Sequence, residues 1–363
     1  MHTAQRPSPI DDSAAPAMRR PATSQPPDRR QAQTRLALAL LVGLLLALLA
    51  GLMAGSEGLS WSAFTADLGG TQRDLLIVEI RAPRSLGAAL VGALLGLGGA
   101  LAQGIFRNPL ADPYLLGSAA GASLGVVAVL AIGGLAGWLV PLAAAAALQR
   151  LGLVMAAFAG ALLGVALTLM LARGAQQTLR LLLAGIVVGV LLSAINELLV
   201  TLSVDALRGR QQFLLGTTGL LGWPAVSWMA VGLALALPLT LRASRVLDAL
   251  TLGEDGAASL GLNLARWRVV LLALMAFCTG LAVAQAGLIA FVGLVAPHVV
   301  RRLAPSAHAY LLAASAATGA VLLLLADVLA RTLIAPQELP VGLITAVLGG
   351  LYLVWLLRRK VAG

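Results

Sequence analysis

Runs of roughly twenty apolar residues recur along this chain, each bounded by charges or by Pro and Gly clusters. As a helix, about 20 such residues cross a hydrocarbon core of about 30 Å. Backbone polar groups at that depth have no water to bond, so a spanning segment must satisfy them internally. The runs centre on 36–55, 83–104, 115–135, 151–172, 179–202, 224–241, 267–286, 288–304, 309–329 and 339–357. They predict an all-α polytopic membrane protein of about ten transmembrane helices, and "LVPLAAAAALQ" (139–149) predicts a short extra helix. The chain is 60% apolar and 11% charged, whereas soluble domains average about 45–50% and 25%. The single cysteine, Cys278, falls inside an apolar run, which predicts a buried thiol rather than a disulfide.

The basic residues orient the bundle. With the N-terminus in the cytoplasm, 18 of the 25 Lys and Arg fall inside, including Arg242, Arg245, Arg266, Arg268, Arg301, Arg302 and Lys360. Arg73, Arg81, Arg84, Arg150, Arg208, Arg210 and Arg331 fall outside. This asymmetry predicts that both termini are cytoplasmic. The net charge of +10 is thereby a topology signal, and no nucleic-acid partner is implied. Residues 1–35 are rich in Pro, Gln, Ser and Arg without apolar periodicity, which predicts a disordered cytoplasmic tail ahead of a permease domain over 36–360. The Leu36–Gly55 run is too long for a typical cleaved signal and is expected to be retained.

One cytoplasmic segment differs from the rest. "LDALTLGEDGAASLGLNLARWR" (247–268) is polar and repeatedly broken by glycine. Ser244 is expected to cap a short turn carrying Val246, Leu247 and Leu250, with Gly253 breaking it. Glu254 and Asp255 suit the positive end of a second short helix, which Gly261 closes in a left-handed cap. Residues 244–265 then present apolar side chains to the cytosol, either as a surface for a partner or as an ordinary amphipathic loop lying on the lipid headgroups.

Catalytic signals are weak. A P-loop requires Gly-Lys-Ser/Thr, and the one lysine is Lys360. His2, His298 and His308 with Cys278 form no metal-ligand spacing, and His298, near the "APH" break expected in helix eight, is read as structural. "GASLG" around Ser123 matches a nucleophile-elbow pattern, but it opens a membrane helix, where small residues let helices approach. Glu197 and Asp327 are the carboxylates that a proton-coupled secondary transporter would use.

Four stretches together resemble the FecCD-type permeases, the membrane subunits of type II ABC importers for ferric siderophores, haem and vitamin B12. They are "RAPRSLGAALVGALLGLGGALAQGIFRNPLADPYLLG" (81–117), "LTLGEDGAASLGLN" (250–263), "GLIAFVGLVAPHVVRR" (287–302) and "LLLADVLARTLIAPQELPVGLITAVLGGLYLVWLLRR" (323–359). The resemblance implies a homodimer in a bacterial inner membrane and two ATPase subunits. These carry the ATP and Mg, so this chain is expected to hold no cofactor. A periplasmic binding protein delivers a transported metal-chelate ligand. By the same resemblance Leu247, Leu250, Leu252, Glu254, Asp255 and Leu260 meet the ATPase. Arg81, Arg84 and Arg331, joined by Arg73, dock the binding protein, since guanidinium forks pair with carboxylates. Asn108, Leu110, Thr178 and Leu179 match the cytoplasmic gate. "GGALAQG" in helix two and "TGLAVAQAG" in helix seven echo each other in opposite orientations, as an inverted repeat would. Among the cargoes haem is expected, because Ala119, Ala120 and Leu179 stand where the family is more polar; ferric siderophore and vitamin B12 are the alternatives.

Overall fold

The computed structural model describes residues 29–55, 58–59, 75–136, 142–172 and 178–361. Most of the expected tail, and Arg73, lie outside the described residues. The first helix, α1 (Arg29–Met53), begins seven residues before the expected Leu36. A two-residue ribbon follows, β1 (Ala54–Gly55) with β2 (Gly58–Leu59). A π-helical turn, Leu75–Arg81, runs into α2 (Ala82–Ile105), where Pro83 occupies a first-turn position that needs no amide donor. Next come α3 (Ser118–Ala136), α4 (Leu142–Leu171), α5 (Thr178–Leu202) and α6 (Val204–Leu215). The chain continues through α7 (Trp223–Leu250), α8 (Glu254–Ser259), α9 (Leu264–Ala286), α10 (Val292–Leu303), α11 (His308–Thr332) and α12 (Val341–Val361).

Every expected spanning run falls on one of these helices. Among the described residues, seven helices are long and apolar enough to cross a membrane by themselves, and Ser118–Ile132 and Val341–Leu356 are shorter apolar helices. Four expectations need correction. The extra helix at 139–149 is not separate, because its residues from Leu142 onward are the first turns of α4. The turn expected at Ser244–Leu250 is the end of the 28-residue α7, whose Val246, Leu247, Ala249 and Leu250 are buried in the core. Helix eight is a half-helix: α10 has 12 residues, a rise of about 18 Å. It starts late because Gly287 and Phe291 adopt left-handed conformations, φ 72° and 69°. Nor does Pro297 break it. The carbonyl that Pro297 leaves without a donor is that of Gly293, and this carbonyl turns towards Gly99 on α2.

The centre of the bundle is α2. Val91, Leu94, Leu95, Leu97 and Leu101 are fully enclosed by α7, α9, α10 and α11. Backbones meet where side chains vanish: α2 crosses α11 at Gly92 and Gly319, and α10 at Gly99 and Gly293. Without a hydrophobic drive between helices in lipid, such small-residue contacts supply the packing. The same geometry accounts for "GASLG". Gly121 and Gly125 of α3 lie on the backbone of α4 at Gly160 and Ala156, and Ser123 sits within a continuous helix rather than on a strand–helix elbow.

Candidate transport pathway, docking cluster and coupling loop

A cavity of about 540 Å³ opens between α3, α5 and α6. On α5, Gly185, Gly189, Ser193 and Asn196 line one wall, with Ile186 and Val190 beside them. Their spacing follows the helical period, so one face of α5 is small or polar along its length. Ala119, Ala120 and Ser123 of α3 form the opposite wall, and Arg210 of α6 closes one end. Arg210 is oriented by Glu197, whose Oε2 accepts from Nη1 at 3.1 Å. Outside the cavity α5 is apolar and exposed, at Leu179, Leu183, Val187 and Leu191. The gate candidates stand near the start of this face. Leu179 is exposed and Thr178 half-buried in the first turn of α5. Asn108 and Leu110 are exposed after α2, where the Leu110 amide donates to Asn108 Oδ1 at 2.9 Å and shapes the turn.

Two of the docking candidates, Arg84 and Arg331, form a cluster around Asp327 at the Arg331 end of α11. Asp327 is 0% exposed and receives three donors. Arg84 Nε donates at 3.2 Å, the Thr218 hydroxyl at 2.5 Å, and Arg331 pairs with it one helical turn along. Arg331 also donates to the Gly51 carbonyl at 3.0 Å and to Ser85 Oγ at 3.2 Å. At 2% exposure, Arg331 ties α1, α2 and α11 together and offers no free donor face to a partner, contrary to the expectation for it. Arg81 is half-buried and donates to the Leu52 carbonyl at 3.0 Å. Arg84 reaches the rim, where its Nη1 contacts both Glu338 oxygens at 2.9 Å. Glu338 is nearly half exposed while Arg84 is mostly buried, so the pair is partly screened and contributes on the order of 1 kcal/mol. Asp327 and Arg331 therefore form the buried part of the cluster, and Arg84 with Glu338 forms its outer edge. Sequence reasoning missed Glu338, although it lies within the quoted "QELP".

At the opposite end of α11 the coupling segment takes shape. Gly253 has φ 94° and Gly261 φ 76°, so the two glycines bound α8 as their positions predicted. Glu254 opens this helix and Asp255 is exposed beside it. The six coupling candidates divide. Leu247 and Leu250 are buried in the core, whereas Leu252 and Leu260 are 67% and 61% exposed. Leu252, Leu260 and Asp255 are open to another chain, whereas Leu247 and Leu250 anchor the loop from within. Asp248 adds a link that the sequence did not reveal. Its Oδ1 accepts from the His308 backbone amide at 3.0 Å and lies 2.7 Å from His308 Nδ1. A carboxylate from α7 thus caps the positive N-terminus of α11.

His298 lies within α10, with its ring edge-on to Tyr352 at 5.8 Å. Among the described residues no His, Cys, Asp or Glu cluster could hold a metal ion. Glu197 is exposed and paired, and Asp327 is shared by two guanidiniums. Neither is the lone buried carboxylate that proton coupling would use.

The described helices thus form an apolar bundle with a small-walled cavity, a charged cluster at one end of α11 and a short helical loop at the other. The chain belongs to the FecCD transport family, which residues 40–359 match. It is 40% identical over 335 residues to the "Vitamin B12 import system permease protein BtuC" of Salmonella paratyphi A, covering 92% of this chain and 97% of that one. The protein of the same name from Salmonella typhimurium is 39% identical over the same extent. A solved metal-chelate type ABC transporter in an inward-facing conformation matches with a TM-score of 0.77 and 27% identity, over 91% of this chain and 99% of that chain. The chain is therefore the permease subunit of a type II ABC importer, and hydrolysis belongs to a separate ATPase chain. The expectation of haem finds no support in these relatives. Its physical premise also weakens: Ala119 and Ala120 do line the cavity, but so do Ser123, Ser193, Asn196 and Arg210.

Proposed function

We propose that two copies of this chain, their α5 faces opposed, enclose the pathway of a vitamin B12-class corrinoid across a bacterial inner membrane. The observation that carries this reading is the cavity's position on α5. A wall of small and polar residues is flanked by an exposed apolar face, Leu179 to Leu191, and one chain alone leaves it open. The cavity of a single copy is in the size range of drug-sized ligands, so a larger cargo needs two. The identity to vitamin B12 permeases over nearly their whole length supports the cargo.

In this reading the loop bounded by Gly253 and Gly261 faces the cytosol, as do both termini, and seats one of two ATPase subunits. ATP and Mg bind there, and this chain needs no cofactor of its own. A binding protein docks on the Arg84 end, where one of its carboxylates replaces Glu338 on the guanidinium. Asn108, Leu110, Thr178 and Leu179 close the cytoplasmic end. ATP-driven closure moves α8, and the Asp248–His308 cap passes the movement to α11.

The test is uptake into proteoliposomes holding the permease and its ATPase, with binding protein supplied. ATP-dependent accumulation of vitamin B12, and little of haem or a ferric siderophore, is expected. Preference for either of the others would overturn the cargo, and equal uptake without ATP would overturn the mechanism. In the same assay Leu252→Asp combined with Leu260→Asp should lower uptake at least tenfold while the permease remains folded. Unchanged uptake would remove the docking role from the exposed face of α8.

A further inference from the structure

Among the described residues three buried side-chain oxygens have no hydrogen-bond partner, and one of them, Asn196 Oδ1, belongs to a residue lining the cavity. Asn196 is 5% exposed. Its amide nitrogen donates to Ser123 Oγ at 2.9 Å, which fixes the side chain between α5 and α3 and leaves its acceptor unmet. Buried polar atoms are nearly always paired, and this orphan belongs to a cavity-lining side chain, so a small turn of that side chain would let a ligand or water complete the set. The surroundings define which ligand. Ser193, one turn earlier on the same wall, is exposed and adds a hydroxyl. The Arg210 charge is already matched by Glu197, so the site has no net pull on an anion. At Gly189 a side chain would meet nothing within 4 Å, leaving room for an approaching group.

We propose that Asn196, held by Ser123 and assisted by Ser193, is a hydrogen-bonding subsite for neutral amide N–H groups of the cargo. An orphan acceptor takes an N–H donor and disfavours a carboxylate oxygen, which would face Asn196 Oδ1 with no donor between them. The corrin ring of vitamin B12 carries several primary amides at its rim, whereas haem carries two carboxylates. The subsite therefore selects by edge chemistry rather than by ring size. It operates only while cargo passes, and a single hydrogen bond is weak enough not to trap it, as a conduit requires.

This inference rests on the corrinoid reading above, and its test separates the two. The complete complex is assayed in proteoliposomes with vitamin B12 and with a vitamin B12 derivative bearing one side-chain carboxylate in place of an amide. The Asn196→Leu variant keeps the side chain's shape and removes the acceptor. It should slow vitamin B12 uptake by about threefold to tenfold, the effect of one hydrogen bond, and narrow the preference for the amide form. Asn196→Asp keeps an acceptor at the same place; it should retain more vitamin B12 uptake than the Leu variant and discriminate further against the carboxylate. Equal uptake and equal preference in all three proteins would overturn the subsite, with Asn196 merely hydrated, and would leave the import reading intact. Absence of ATP-driven vitamin B12 uptake by the unaltered complex would overturn the corrinoid reading and the amide ligand together.

Discussion

Asp327→Ala is expected to destabilise the permease by about 3–5 kcal/mol, the usual cost of leaving one member of a buried ion pair alone. Arg331 would keep its bonds to Gly51 and Ser85 but lose its counter-ion in a site 2% exposed. Arg84 and the Thr218 hydroxyl would lose an acceptor at the same time. Thermal or denaturant unfolding of the purified permease in detergent reads the effect directly. Glu338→Gln provides the comparison, and the rim pair it breaks should shift stability by about 1 kcal/mol or less. Equal effects from the two changes would make Arg84, rather than Asp327, the hub of the cluster.

The second large effect is expected at Gly99. A Cβ there would overlap the Gly293 carbonyl of α10, and neither partner is the yielding tip of a side chain. Two backbones would have to separate. Overpacking commonly costs about 1–3 kcal/mol and sometimes more; a helix–helix backbone contact belongs at the upper end. Gly99→Val should therefore cost about 3 kcal/mol or more, seen as a lower unfolding midpoint and loss of monodisperse protein. Gly189→Ala, where nothing lies within 4 Å, should leave the midpoint unchanged. A stable Gly99→Val protein would mean that α10 can shift away from α2 without cost.

The contrast between these two glycines shows what the sequence could convey. The spans were legible because lipid imposes a length on apolar runs, and each expected core overlaps a helix, although the run at 288–304 is helical only from Val292. The turns at Gly253 and Gly261 were legible because breaks in a polar segment need φ above zero. Hydropathy could not distinguish the half-helix α10 from a full span, since Gly287–Phe291 is as apolar as a helix would be. Nor could it report who pairs with whom. Asp327 and Arg331 stand one turn apart and could have been read as a pair. Arg84 and Glu338 are 254 residues apart. Arg331 was accordingly expected on the surface, and its burial follows from a partner that linear spacing leaves ambiguous. The same limit applied to the pathway. Ala119 and Ala120 line the cavity, and nothing in the linear sequence singled out Asn196 beside them.

The tethering of α11 has a mechanical consequence. The helix has 25 residues and so extends about 37 Å. His308 at one end is clasped by Asp248, and Arg331 at the other by α1 and α2. Sliding the helix along its axis by one residue's rise, about 1.5 Å, would disturb the contacts at both ends together. The two ends of α11 are thus geared to a single shaft: neither can slide while the other stays locked.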